Sequence, residues 1–305
     1  MKNYQIYLVL TGVMLIWGLN VSVLKILVEH FMPVTITALR IFTAGVCVLL
    51  ILAISQKIRK PSSQELGYII VGGLLNVVAH HLFLATGLAR TTATNGGLIL
   101  GLGPLITACF ALIFLKRFPT RLQLIGFVLG GIGISFTVLA GNKEIGDINL
   151  GDFYVFLSIL AQGMSFILIK KASTTLDPRL LTGYMLIIGS FILFLLSIVI
   201  EPDGLKTLGG APAYVWGVFF ASAILATALG HYIYNYAIGQ TGPAEAAIFL
   251  NLSTFFALLG SAVFLGEQFY PSHFAGLILI VSGVVFGSGA MEDLIRKRRR
   301  RIKVS

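Results

Sequence analysis

Val34–Ser55 reads VTITALRIFTAGVCVLLILAIS, an apolar run with one charge, Arg40. Pro33 precedes it, and Lys57, Arg59, Lys60 and Pro61 follow. A helix needs about 20 mainly apolar residues to cross a hydrocarbon core about 30 Å thick, and this run has that length. The proline stands at the helix entry, where its missing N–H does no harm, and the cations stand at the exit. The same pattern recurs along the chain. Outward from this run the candidate spans are Ile6–Val28, Leu66–Leu88, Thr92–Leu115, Leu122–Ala140, Asp152–Ile169, Leu180–Ile200, Tyr214–Ile238, Pro243–Leu265 and Ser272–Ala290. Pro119, Pro178, Pro202, Pro212 and Pro271 fall in the turns between them. The expected fold is an all-α polytopic membrane protein of ten transmembrane helices.

Composition agrees. Charged residues make up 11% of the chain and hydrophobic ones 57%, whereas a soluble domain carries about 25% charged residues. The net charge of +10 would suggest nucleic acid in a soluble protein. Here the cations lie between apolar runs, as in cytoplasmic loops, so no nucleic-acid partner is expected. Cys47 and Cys109 sit inside apolar runs and offer neither a disulfide framework nor metal spacing; no metal or other cofactor is expected. The first apolar run begins almost at Met1 and is too long and polar-studded for a cleaved leader, so it reads as a retained first helix.

With the N-terminus inside, Lys2, Lys57, Arg59, Lys60, Lys116, Arg117, Arg121, Lys170, Lys171, Arg179 and the tail cations from Arg296 to Lys303 are all cytoplasmic. Cations concentrate on the cytoplasmic side of membrane proteins, so both termini are placed in the cytoplasm and the protein in the cell membrane. The tail, residues 291–305, is expected to hold anionic lipid headgroups, at about 1 kcal/mol per cation.

The chain also repeats itself. At an offset of 145, Gly18 meets Gly163, Lys25 meets Lys170, Pro33 meets Pro178, Thr37 meets Thr182 and Gly72 meets Gly217. At an offset of 150, Phe114-Leu115 meets Phe264-Leu265, Gly126 meets Gly276 and Gly133 meets Gly283. The change of offset implies an insertion in the second half, placed in the loop Glu201–Ala213. Residues 6–140 and 152–290 then form two five-helix repeats. Five is odd, so the second copy is inverted. Such a pair can adopt inward-open and outward-open states, with a solute site between the repeats.

Ile16-Trp17-Gly18-Leu19-Asn20, Pro33 and Arg40 resemble the opening of the EamA-type repeat of the drug/metabolite transporter superfamily. Phe264-Leu265-Gly266-Glu267 is similar to that family's closing "LGE", and Ala89–Ala93 and Gly239–Ala244 to the turn before each fourth helix. The resemblance implies ten helices in a 5+5 inverted arrangement, a cavity lined by helices 1, 3, 4, 6, 8 and 9, and export of amino acids or related metabolites. The chain departs from the pattern twice. Lys116-Arg117 stands where "GE" is expected in the first repeat, and Thr254 stands where Pro104 does.

Charges inside a bilayer are costly and functional by default. Every Asp and Glu falls in a loop, a tail or a terminal turn of a span, so a carboxylate proton relay is not expected. The polar residues near mid-span are the candidate solute-binding set: Trp17 and Asn20, Asn76 and His80, Gln162 and Ser165, His231 and Tyr234, and Asn251. Any proton coupling is expected to run through His80, His81 or His231, whose side chains titrate near neutrality. For each of these residues the competing role is interhelical hydrogen bonding. Arg40 is placed near an outer helix end, where it can snorkel to headgroups or steady a substrate carboxylate. No cation is expected deep enough to hold a sugar phosphate. Phe83, Tyr232, Tyr236 and Phe249 are expected to join Trp17 and Tyr234 as an aromatic lining. Gly126, Gly130 and Gly133, with Gly276 and Gly283, allow close helix packing within a protomer or in a homodimer.

The expected function is transport of small metabolites, amino acids or related neutral or zwitterionic solutes, by alternating access and in the export direction. Uptake or exchange of another small solute, such as a sugar or drug-like compound, is the alternative. A membrane-embedded enzyme is a remote one, because no acidic partner lies at the depth of His80 and His81.

Overall fold

The computed structural model describes residues 3–88, 90–91, 96, 99–139, 149–265, 270–292 and 294–295. Glu267, the Gly266 before it and the basic tail from Arg296 lie outside the described residues. Among those described the fold is helical: α1 Asn3–His30, α2 Pro33–Ile54, α3 Ser63–Leu88, α4 Ile99–Leu115, α5 Arg121–Val138, α6 Leu150–Ala172, α7 Pro178–Ile200, α8 Ala213–Thr241, α9 in two pieces, Pro243–Ala247 and Leu250–Leu265, and α10 Pro271–Gly287. Among the described residues seven helices are long and apolar enough to cross a membrane; α4, α10 and the apolar stretch Arg121–Thr137 of α5 are shorter, at 10–17 residues.

Helix starts follow local chemistry. Ser62 and Glu65 form a capping box at α3, Thr120 and Gln123 one at α5, and Asn149 and Asp152 one at α6. Helix α7 is capped by Asp177, which accepts from the Arg179 N–H at 2.9 Å. Helix α2 has no such residue, since Met32 precedes its Pro33. Glu201, at the far end of α7, replaces it by accepting from the Val34 and Thr35 N–H groups at 2.9 and 2.8 Å. At the opposite end of this helix pair Arg59 donates to the Thr175 carbonyl at 2.8 Å.

Packing runs mainly between the two halves of the chain. Helix α1 lies on α9 and α8, while α6 lies on α4 and α3; α2 lies on α8 and α7 on α3; α2 pairs with α7 and α5 with α10. Exchanging each helix with the one five places on leaves this set unchanged. Gly18 lets α1 approach α9 so closely that a Cβ there would stand 2.6 Å from the Ser253 carbonyl oxygen. The glycine stripes meet each other within the chain: a Cβ on Gly133 would come 2.9 Å from the Gly276 carbonyl, and one on Gly283 2.8 Å from that of Gly126.

The structure refines the repeat. Helices α2 and α7 start at Pro33 and Pro178, whereas α3 and α8 start at Ser63 and Ala213. The offset therefore changes in the connection that holds the short 3-10 helix Gly204–Gly210. Gly72 and Gly217 are out of register: counted from the helix starts, Gly72 corresponds to Ser222. Both α3 and α8 also widen into π-helical turns, at Leu74–Ala79 and Ser222–Leu229.

Candidate substrate cavity

A cavity of about 140 Å³ lies where α1, α2, α3, α6 and α8 converge, and its wall includes Trp17, Asn20, Arg40, His80, His81, Gln162, Thr227 and His231. The two widened helices shape it. A π turn inserts one extra residue and rotates everything after it, a device common at functional sites. In α8 the Ala226 carbonyl, inside the wide turn, accepts from Trp17 Nε1–H at 2.7 Å. The Thr227 hydroxyl donates to the Ser222 carbonyl at 3.1 Å and accepts from Arg40 Nη1–H.

On the other side α3 and α6 are joined along their length. Asn76 Nδ2–H donates to Ser165 Oγ at 2.8 Å. His80 Nδ1 lies 3.2 Å from the Ser158 carbonyl and Nε2 lies 3.1 Å from Gln162 Nε2. The carbonyl can only accept, so Nδ1 carries the proton and Nε2 accepts from the Gln162 amide. His231 Nδ1–H donates to the Thr227 carbonyl at 2.9 Å, which leaves Nε2 as an acceptor at the cavity wall. The His81 ring lies tilted against His80 at 4.9 Å between centroids.

Five of the nine proposed binding residues thus share one cavity: Trp17, Asn20, His80, Gln162 and His231. His81 joins them. Asn76 and Ser165 pair with each other behind the wall. Tyr234 is fully buried, its ring tilted between those of Trp17 and Phe166 at 5.1 and 5.3 Å between centroids. Asn251 is buried on α9 facing Gly130 of α5.

Two expectations are corrected. Arg40 is buried in the cavity wall rather than reaching for headgroups, and its Nε–H has no hydrogen-bond partner. A cation therefore does lie deep in the protein. The aromatic lining reduces to Trp17. Tyr232 and Tyr236 turn to the Arg179 guanidinium, 5.8 and 4.9 Å from its carbon, Phe83 stacks on Tyr154, and Phe249 stacks on Tyr7. A larger hollow of about 470 Å³ lies between the α4–α5 and α8–α9 turns, but its cation, Arg117, is paired with Glu245 at 3.2 Å. It contains none of the candidate residues.

This architecture has counterparts. The model of the EamA-like transporter family matches residues 5–139 and again 149–288. The chain belongs to the EamA-like transporter family. It is a membrane transporter of that family, a polytopic protein of apolar helices. Among its relatives, the uncharacterized transporter YyaM of Bacillus subtilis is 27% identical over 95% of this chain and 96% of its own length. An uncharacterized transporter of Archaeoglobus fulgidus is 26% identical over 90% and 83%. A solved crystal structure, 14% identical, shares the fold with a TM-score of 0.78 over 93% of this chain and 98% of that one.

Proposed function

We propose that the chain is a ten-helix carrier of two inverted five-helix units, residues 6–140 and 152–290, that exports compact metabolites by alternating access. The solutes are amino acids or related neutral or zwitterionic molecules. The observation that carries this reading is the cavity itself. It lies where α1, α2 and α3 of one unit meet α6 and α8 of the other, and beside polar groups held by the protein it keeps the Arg40 Nε–H and the His231 Nε2 without a protein partner. The exchange-symmetric packing supports the inverted arrangement, because two packings related by that exchange can open the same cavity to opposite sides. Helices α4, α5 and α10 complete the ten.

The orientation reading is supported by the bundle's ends. The Arg59–Thr175, Lys170–Gly239 and Arg117–Thr241 contacts join the basic loops to one another at one end. Glu201 and the His30–Tyr214 pair stand at the other. The basic end is cytoplasmic, with both termini, in the cell membrane. The test compares the small metabolites in the medium of cells expressing the protein with those of cells lacking it. At least one amino acid or related solute is expected to accumulate outside; identical media would refute export.

A further inference from the structure

Arg40 is a cation in the interior of a membrane protein, and no carboxylate among the described residues pairs with it. The ion pairs among the described residues are Arg59–Glu65, Arg117–Glu245, Arg179–Asp177 and Lys206–Asp203, and none includes Arg40. A guanidinium offers five N–H donors. One goes to the neutral Thr227 hydroxyl, and the buried Nε–H has no acceptor. An uncompensated buried charge is costly to keep, so such residues persist where a ligand completes them. The surrounding wall is built to admit one. Asn20, His81 and the Nε2 edge of His231 face the same space, and Trp17, already bonded to Ala226, closes one side.

We propose that Arg40 is the anion-holding residue of this cavity and takes the carboxylate of a compact monocarboxylic solute. Planar guanidinium and carboxylate match in a two-point hydrogen-bonded pair. One fixed positive charge balances one carboxylate, whereas a phosphate ester brings up to two negative charges. The cavity volume of about 140 Å³ also restricts the solute, since sites for drug-sized ligands begin near about 300 Å³. Cargo status rests on the transport reading; binding at Arg40 does not.

The test is thermal unfolding of the purified full chain in detergent with L-threonine, L-lactate, their carboxamides and glycerol 3-phosphate. The two acids are expected to raise the unfolding midpoint saturably, and the carboxamides and the phosphate ester are not. Arg40→Gln is expected to weaken acid binding about ten- to hundredfold, with an unliganded midpoint no lower than that of the wild type. Arg40→Lys keeps the charge without the fork and falls between. Equal stabilisation by acids and carboxamides, no saturable response to either acid, or undiminished binding in Arg40→Gln overturns the proposal. The transport reading fails separately, if an acid that binds does not cross the membrane of proteoliposomes containing the protein.

Discussion

Helices α3 and α8 occupy equivalent places in the two halves, and both carry a π-helical turn, yet their polar chemistry differs. In α3 Asn76 and His80 are used up against α6, Asn76 on Ser165 and His80 on Ser158 and Gln162 at its two ring nitrogens, and only His81 is left to the cavity. In α8 the polar groups turn toward α1, α2 and the cavity. The Ala226 carbonyl holds Trp17, Thr227 holds Arg40, and His231 keeps a ring nitrogen unbonded. The two helices share a backbone shape, and they differ in the polar groups that they turn toward the cavity. One side of the cavity is, apart from His81, a neutral zipper between α3 and α6, and the other carries the Arg40 charge and the unbonded His231 nitrogen.

This contrast can be broken at several points. The largest effect is on coupling. If transport responds to a proton gradient, His231→Ala or His81→Ala abolishes the response, while His80→Ala, whose ring nitrogens are both engaged, retains it. Proteoliposome transport under an imposed pH gradient reads this, and loss in His80→Ala alone reverses the assignment. Next in size is Trp17→Ala, which empties a space packed against Tyr234 and His231 and should cost about 3–5 kcal/mol. Its counterpart Gln162→Ala leaves one buried acceptor unpaired and should cost about 1–3 kcal/mol. Chemical unfolding in detergent compares them, and equal losses would erase the difference between the sides.

The helix entries offer a smaller test of the same kind. Asp177 caps α7 locally, and its removal in Asp177→Ala should cost about 1 kcal/mol. Burial disfavours its ionised form, but hydrogen bonds from the Arg179 side chain and N–H outweigh that and hold the carboxyl below its usual range. Because the folded value is the lower one, the contribution is present above the unfolded value of about 4. It is lost as pH falls through the folded value. The stability difference between wild type and Asp177→Ala should therefore shrink on acidification, and a constant difference from about pH 7 to about pH 3 would contradict it.

Lys116 departs from the family's "GE", and the structure gives the consequence. Its φ of 53° and ψ of 33° are left-handed, a conformation that suits glycine. Relief of the left-handed conformation, about 1–2 kcal/mol, exceeds the chain entropy that glycine adds, about 0.5–1 kcal/mol, so Lys116→Gly should stabilise modestly, read as a raised unfolding midpoint. Arg117, in place of the glutamate, reaches Glu245 and the Thr241 carbonyl. Smallest is the Asn76–Ser165 bond, for which a double-mutant cycle should give about 0.6 kcal/mol. A coupling near zero would show that the zipper positions nothing.

Much of this was legible in the sequence because membrane burial enforces it. Apolar runs such as Val34–Ser55, the prolines at helix entries and the cations at helix exits follow from backbone satisfaction and hydration. Of the five proposed site residues that reach the cavity, Trp17, Asn20 and Gln162 lie on faces that the regular helices α1 and α6 turn inward, while His80 and His231 follow the widened turns of α3 and α8. The misses have physical causes. Arg40 stands seven residues past Pro33, within reach of a headgroup by side-chain length alone. Only the packing of α2 against α7 and α8 encloses it. The π turns have no residue signature, and the extra residue shifts the phase. Thr227 and His231 therefore face the cavity, Tyr234 and Asn235 enter the core, and Tyr232 and Tyr236 leave for Arg179. The Glu201 cap on α2 joins residues 166 and 167 positions apart, beyond any local signal.

Under the proposed alternating access, one cavity serves both sides of the membrane. The direct measurement is labelling of Asn20→Cys in a chain whose free cysteines are replaced, Cys47→Ala and Cys109→Ala, with a membrane-impermeant maleimide. Labelling is expected both in intact cells and in inside-out vesicles, with the solute protecting the introduced thiol in each. Labelling from one side only, under every solute condition, would contradict alternating access through this cavity.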